Sequence, residues 1–176
     1  IPDLIPDIPL SRNRFSGYRM SAECQIDVWR LADTWAFKNG LVQMNGLESL
    51  TMTTFMNSDA ILYDITGKQA YMHPCFQEFL TGRVLDCNLI ENPNPLGAAV
   101  RATRLALMHD LSLSPALLSF ISKQQLLPES SNMIDKIFGR TVNFEALRGL
   151  WRQICHCSEN EPGLPIRLST LLPDQI

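Results

Sequence analysis

Ser21-Ala22-Glu23-Cys24-Gln25-Ile26-Asp27-Val28-Trp29-Arg30-Leu31-Ala32-Asp33-Thr34-Trp35, continuing to Asn39-Gly40, is the first long segment with a helical period. At 3.6 residues per turn, Cys24, Val28, Leu31, Ala32 and Trp35 fall on one apolar stripe. Ser21 stands where an N-cap hydroxyl meets the first-turn amides, and Glu23 and Asp27 suit the positive end of a helix dipole. Asn39-Gly40 reads as the C-terminal stop. A second helix is expected from Asn45, with Glu48 three residues on and Leu47, Leu50, Phe55 and Ala60 along one side. Only Leu41–Met44 separate the two, so an antiparallel helical hairpin is expected.

Outward from this segment the same period recurs. Asp64-Ile65-Thr66-Gly67-Lys68-Gln69 reads as a turn, because the Gly-x-x-x-x-Gly-Lys-Ser/Thr frame of a phosphate loop is absent. His73-Pro74 opens a third helix with Pro at its first position, carrying Phe76, Phe79, Leu80, Val84 and Cys87 until Asn92-Pro93-Asn94-Pro95 breaks it. A fourth runs from Pro95 to about Asp110, with Leu96, Val100, Leu107 and Leu111 inward and Arg101 and Arg104 outward. Ser114 caps a helix to about Leu126, with Pro115 at its first position. A short amphipathic piece follows at Met133–Phe138, ended by Gly139, then a last helix at Phe144–His156 with Leu147, Leu150, Trp151 and Ile154 on one stripe. Sustained β-branched alternation is nowhere evident, so the expected fold is all-α with six or seven helices over residues 21–157. Extended, Pro-rich segments flank it: an arm at residues 1–20 and a tail at 158–176, whose Leu164, Ile166 and Leu168 dock on a partner or on the chain's own core.

Composition narrows the function classes. With 176 residues, 45 % hydrophobic and 19 % charged, the chain has material for a real core and is not a disordered or low-complexity polypeptide. A formal charge of −3 excludes a strongly basic nucleic-acid coat, though not a local basic patch. No uninterrupted apolar run is long enough for a bilayer, and no membrane partner is expected. The opening Ile1–Pro9 lacks a cationic lead and a continuous apolar run, so it is not read as a secretory signal. Cys24, Cys75, Cys87, Cys155 and Cys157 are odd in number, which favours reduced thiols and a cytoplasmic setting.

The chemical motifs are sparse. Cys155-His156-Cys157 cannot turn three adjacent helical side chains, about 100° apart, onto one zinc. A half-site completed by His73 and Cys75 stays open as the metal-dependent alternative. There is no His-Glu-x-x-His or Gly-x-Ser-x-Gly pattern, and His73 before Pro74 reads as an N-cap. No catalytic residue, metal or cofactor is therefore assigned, and the chain is read as a non-enzyme. The basic residues carry more. Arg12, Arg14 and Arg19 lie beside Phe15 and Tyr18 in an arm without acids at residues 11–19, suited to holding phosphates and stacking on bases. Arg101 and Arg104 are spaced i, i+3 and Arg148 and Arg152 i, i+4, so each pair projects from one helix face.

Ser21-Ala22-Glu23-Cys24, Trp29, Gly40-Leu41 and Leu47-Glu48-Ser49-Leu50 together resemble the small terminase subunits of tailed phages, including that family's Trp-to-Gly-Leu separation. Two later stretches are similar to it as well. Thr66-Gly67-Lys68 through His73-Pro74 looks like its turn before a helix-opening His-Pro, and Leu111-Ser112-Leu113-Ser114-Pro115 resembles the Leu-Gly-Leu-Thr-Pro that ends that helix. The resemblance covers about residues 20–125. It departs from the family at Arg83–Pro95, which looks like an insertion, and at Ala116-Leu117-Leu118, which replace the usual basic residues. It implies a non-enzymatic homo-oligomeric ring that binds viral double-stranded DNA and regulates the large terminase subunit. Arg12, Arg14, Arg19, Arg101 and Arg104 would be the phosphate contacts and residues 158–176 the segment docking on the motor. The rival reading is a helical adaptor that binds only protein.

Overall fold

The computed structural model describes residues 10–12, 17–21, 25–160 and 163–171. The chain divides into two compact units, one within residues 1–49 and the other within 50–176. Among the described residues, helices share the fold with eight strands in three small sheets. The class is mixed α/β, which corrects the all-α expectation.

The correction starts at the segment taken for the first helix. Three antiparallel strands, β1 (Leu10–Arg12), β2 (Tyr18–Ser21) and β3 (Gln25–Val28), form a sheet in that order. Asp27 stands directly across from Arg19 in the β2–β3 register, and their side chains join at 2.8 and 3.1 Å. The carboxylate read as a helix-dipole partner thus serves a cross-strand ion pair. Residues 18, 20, 26 and 28 share one face, where Met20 is buried, so a period of two wins over one of 3.6. Only a 3₁₀ turn at Leu31–Asp33 and the single-turn α1 (Trp35–Lys38) are helical here. Asn39-Gly40 does end α1 as expected, Gly40 taking φ +67°. Cys24 lies outside the described residues.

The second expected helix is replaced by 3₁₀ segments at Leu47–Thr53 and Asn57–Asp59, so there is no antiparallel helical hairpin. The cause is in the hydroxyls. Ser49 Oγ donates to Gly46 O at 2.6 Å and Thr53 Oγ1 to Leu50 O at 2.8 Å, three residues back in each case. Thr54 Oγ1 does the same towards Thr51 O at 3.3 Å. Side chains bound to i−3 carbonyls compete with the i−4 ladder and tighten the winding.

The second unit opens with a hairpin, β4 (Ile61–Asp64) and β5 (Gln69–Met72), around the expected turn, where Asp64 Oδ1 accepts from Thr66 N at 2.9 Å. The flanking strands are the part the sequence reading missed. Helix α2 (Pro74–Gly82) starts at the expected His73 cap but stops at Arg83, so Val84 and Leu85 enter β6 (Val84–Leu85) instead of extending it. Helix α3 (Pro95–His109) crosses over to β7 (Ser112–Leu113), parallel to β6, and β8 (Ile166–Arg167) closes the sheet antiparallel to β7. Between β7 and β8 come α4 (Pro115–Ser122), α5 (Ser131–Phe138) and α6 (Phe144–Asn160).

The caps explain why these helices were legible. Ser114 and Gly139 occupy the predicted cap positions and Pro95 and Pro115 the first turns, while Asn94, read only as part of a break, caps α3. Gly97 lets the Asn94 side chain close onto its amide, since a Cβ there would collide with the Asn94 carboxamide. The inner face of α3 is Ala98, Ala99, Val100, Ala102 and Ala106, small enough for close contact with α4 and α5. Leu117, Leu118 and Ile121 of α4 meet Leu147, Leu150, Trp151 and Ile154 of α6, the predicted stripe. Ile166 and Leu168 complete the core, so this part of the tail docks on its own unit and is not an open docking segment. No helix among the described residues is long and apolar enough to cross a membrane.

Candidate functional site

Of the five arginines expected to hold phosphates, Arg12 and Arg19 belong to the first unit and Arg101 and Arg104 to the second. Arg12 and Arg19 alternate onto opposite faces of the first sheet. The Arg12 guanidinium lies over the Tyr18 ring, 5.8 Å from its centroid, while Arg19 is engaged by Asp27. Arg14 lies outside the described residues. In the second unit Arg101 pairs with Asp59 at 3.2 Å, and Arg104 is half-buried with its Nε finding no acceptor. Two of the five thus carry acidic partners that a phosphate would have to displace.

A second cluster gathers at the mouth of α2. His73 caps the helix, its Nδ1 accepting from Cys75 N at 3.4 Å and lying 3.0 Å from Cys75 Sγ. Asn88 Oδ1 lies 3.5 Å from the same thiol, while its Nδ2 donates to Thr51 O and Thr54 Oγ1 at 2.7 and 3.0 Å. An acceptor nitrogen and an acceptor oxygen around one sulfur suit a thiol, not a thiolate. Burial, with Glu78 and Asp86 adding to it, raises the Cys75 pKa. The corner therefore opposes the nucleophile that a Cys–His pair suggests. Cys155 is held elsewhere, its Sγ donating to Ser122 O at 3.7 Å. Among the described residues no group of three His, Cys, Asp or Glu side chains is placed to hold a metal ion.

Asp86 and Asn57 sit behind this corner. Asn57 exchanges bonds with Val84 O and Asp86 N, and Asp86 accepts from Cys87 N and from the Ser114 hydroxyl. Every partner is internal, so the network stitches Asn57 to β6 and to the cap of α4. Beside it a cavity of about 370 Å³ is floored by Phe79, Leu85, Leu105 and Leu111 and rimmed by Asp59, Arg83 and His109. Crowding around Asp59 raises its pKa, with Arg101 pulling the other way. Arg83 Nη2 donates to His109 O at 2.6 Å, satisfying one C-terminal carbonyl of α3.

The surface anomaly is the β4–β5 hairpin. The register puts Ile61 opposite Met72 and Tyr63 opposite Ala70, all on one face. Ile61, Tyr63 and Met72 are 44, 59 and 46 % exposed, and Ile65 at the turn is 82 % exposed. Ile61, Tyr63 and Met72 thus leave a partly exposed apolar face on this hairpin. A sequence signal existed: two four-residue runs, Ile61-Leu62-Tyr63-Asp64 and Gln69-Ala70-Tyr71-Met72, around a Gly-containing turn. No protein-family model, no curated protein and no solved structure matches this chain.

Proposed function

We propose that the chain is a non-catalytic binding subunit that assembles with further copies of itself through the β4–β5 hairpin face. The observation that carries this reading is the exposure of Ile61, Tyr63, Ile65 and Met72 together on that hairpin. Burying apolar area of this kind contributes about 25 cal/mol per Å². The two-stranded sheet also keeps an unpaired edge on each strand among the described residues, available to another copy. Light scattering of the wild type is expected to give a mass above the monomer at micromolar concentration. The double variant Tyr63→Glu, Ile65→Glu is expected to shift it to the monomer with the secondary structure unchanged by circular dichroism. A monomeric wild type sinks the reading.

The nucleic-acid reading stands second, as a packaging subunit that recognises double-stranded DNA for a large terminase partner. Support for it comes from exposed Arg12, a cation whose guanidinium lies over the Tyr18 ring and is open to a phosphate. Duplex binding measured by anisotropy should fall steeply as salt rises, and Arg12→Ala should weaken it. Absence of binding at low salt leaves the assembling protein-binding module as the reading.

A further inference from the structure

The last helix carries a feature that neither reading uses. Arg148, Arg152 and His156 follow one another at i, i+4 and i+8 on α6, so they form a row about 6 Å apart along the axis. They line a groove of about 330 Å³, a volume at the small end for a bound metabolite. Its floor is Leu126, Trp151 and Cys155. That floor is pinned: Trp151 Nε1 donates to Gln124 O at 3.0 Å and Cys155 Sγ to Ser122 O. We propose that this groove binds a mononucleotide-sized phosphomonoester, its phosphate on Arg148 and Arg152 and its body over Leu126 and Trp151.

The two ends of the groove differ in chemistry. Arg152 is exposed and makes no ion pair among the described residues, and Arg148 meets only Glu145, at 3.2 Å. Glu145 is itself 71 % exposed, so that pair is weak and a dianion displaces it at little cost. Two guanidiniums one turn apart offer enough donors for three phosphoryl oxygens. The C-terminal end of α6 carries negative dipole charge and Glu159, which keeps the phosphate at the Arg148–Arg152 end. At the other end His156 offers a donor. Asn160 Nδ2 donates to His156 O at 2.8 Å and lies 3.0 Å from its Nδ1. His156 and Glu159 both line that end of the groove and supply polar groups for the edge of a heterocycle.

The experiment is isothermal titration of the full chain with adenosine monophosphate, inorganic phosphate, adenosine and a short DNA duplex, each in separate runs. Adenosine monophosphate is expected to bind at least about tenfold more tightly than phosphate or adenosine alone. Arg152→Gln and Arg148→Gln are each expected to weaken it about tenfold, with the unfolding midpoint of Arg152→Gln unchanged because that side chain is exposed. Equal binding of phosphate and of the nucleotide, or indifference to Arg152→Gln, overturns the proposal. A duplex that loses affinity in Arg152→Gln while adenosine monophosphate does not bind also overturns it, and makes the groove a backbone contact. None of these outcomes depends on self-assembly, so the hairpin reading stands or falls separately.

Discussion

Asp33 shows how one carboxylate can hold a local turn. It accepts from Arg30 Nε at 2.7 Å and pairs with Lys38 Nζ at 2.8 Å, spanning the 3₁₀ turn and α1. The hydrogen bond from Arg30, then that from Lys38, pulls its pKa down to about 2. The unfolded value is about 3.9, so the folded pKa is the lower one. Its contribution is present above about pH 4 and is lost as pH falls towards 2. NMR titration of the Asp33 carboxyl should show a midpoint near 2, and Asp33→Asn should remove this part of the acid sensitivity. Cys87 is the opposite case: burial first, and Asp86 second, push its thiol up to about 12. It is expected to stay unlabelled by iodoacetamide at neutral pH in the folded protein and to react once the chain is denatured. Labelling of Cys87 at the rate of a free thiol would contradict the burial seen here.

At the scale of elements, capped helices were legible and short strands were not. His73-Pro74, Asn94-Pro95 and Ser114-Pro115 announce helix starts because a local side chain meets a local amide, whatever the rest of the chain does. Ser114 does more than was read from it. Its hydroxyl accepts from Leu117 N at 3.1 Å and donates to Asp86, tying α4 to the end of β6. Ser114→Ala is expected to cost about 1–2 kcal/mol in urea denaturation, through the lost cap and the stripped carboxylate. Ser122→Ala, where the hydroxyl only returns to Ser119 O at 3.1 Å, should change little. The strands at residues 18–28 were misread because Val28, Leu31 and Trp35 fit a helical stripe while Tyr18, Met20, Ile26 and Val28 fit an alternating one. The Arg19–Asp27 pair that separates the two exists only once β2 and β3 meet.

Among the described residues, the large apolar cluster runs from Phe55 to Leu168 within residues 50–176, while the first unit buries Met20 and Ala36. Residues 50–176 expressed alone are expected to fold and to unfold cooperatively, as calorimetry would show. A featureless melt would mean that the core needs the first 49 residues. The tail is part of that core. Leu168 is fully buried after β8, and Leu168→Ala should cost about 3 kcal/mol, whereas exposed Leu164→Ala should be near neutral. Candidate sites follow the same division. Arg148, Arg152 and His156 could be placed on one helix face from spacing alone, but the groove beneath them needs Leu126 brought in from beyond α4.

The capped helices, the turn at Asp64–Gln69 and the buried stripe of α6 are written locally in the chain, because each rests on contacts within a few residues. The three sheets, the inward fold of residues 166–168 and the pairing of Arg19 with Asp27 and of Arg101 with Asp59 came only with the tertiary structure. Strand pairs of two to four residues have too little local preference to declare themselves, and they form only when a distant partner supplies the hydrogen bonds and the covering side chains.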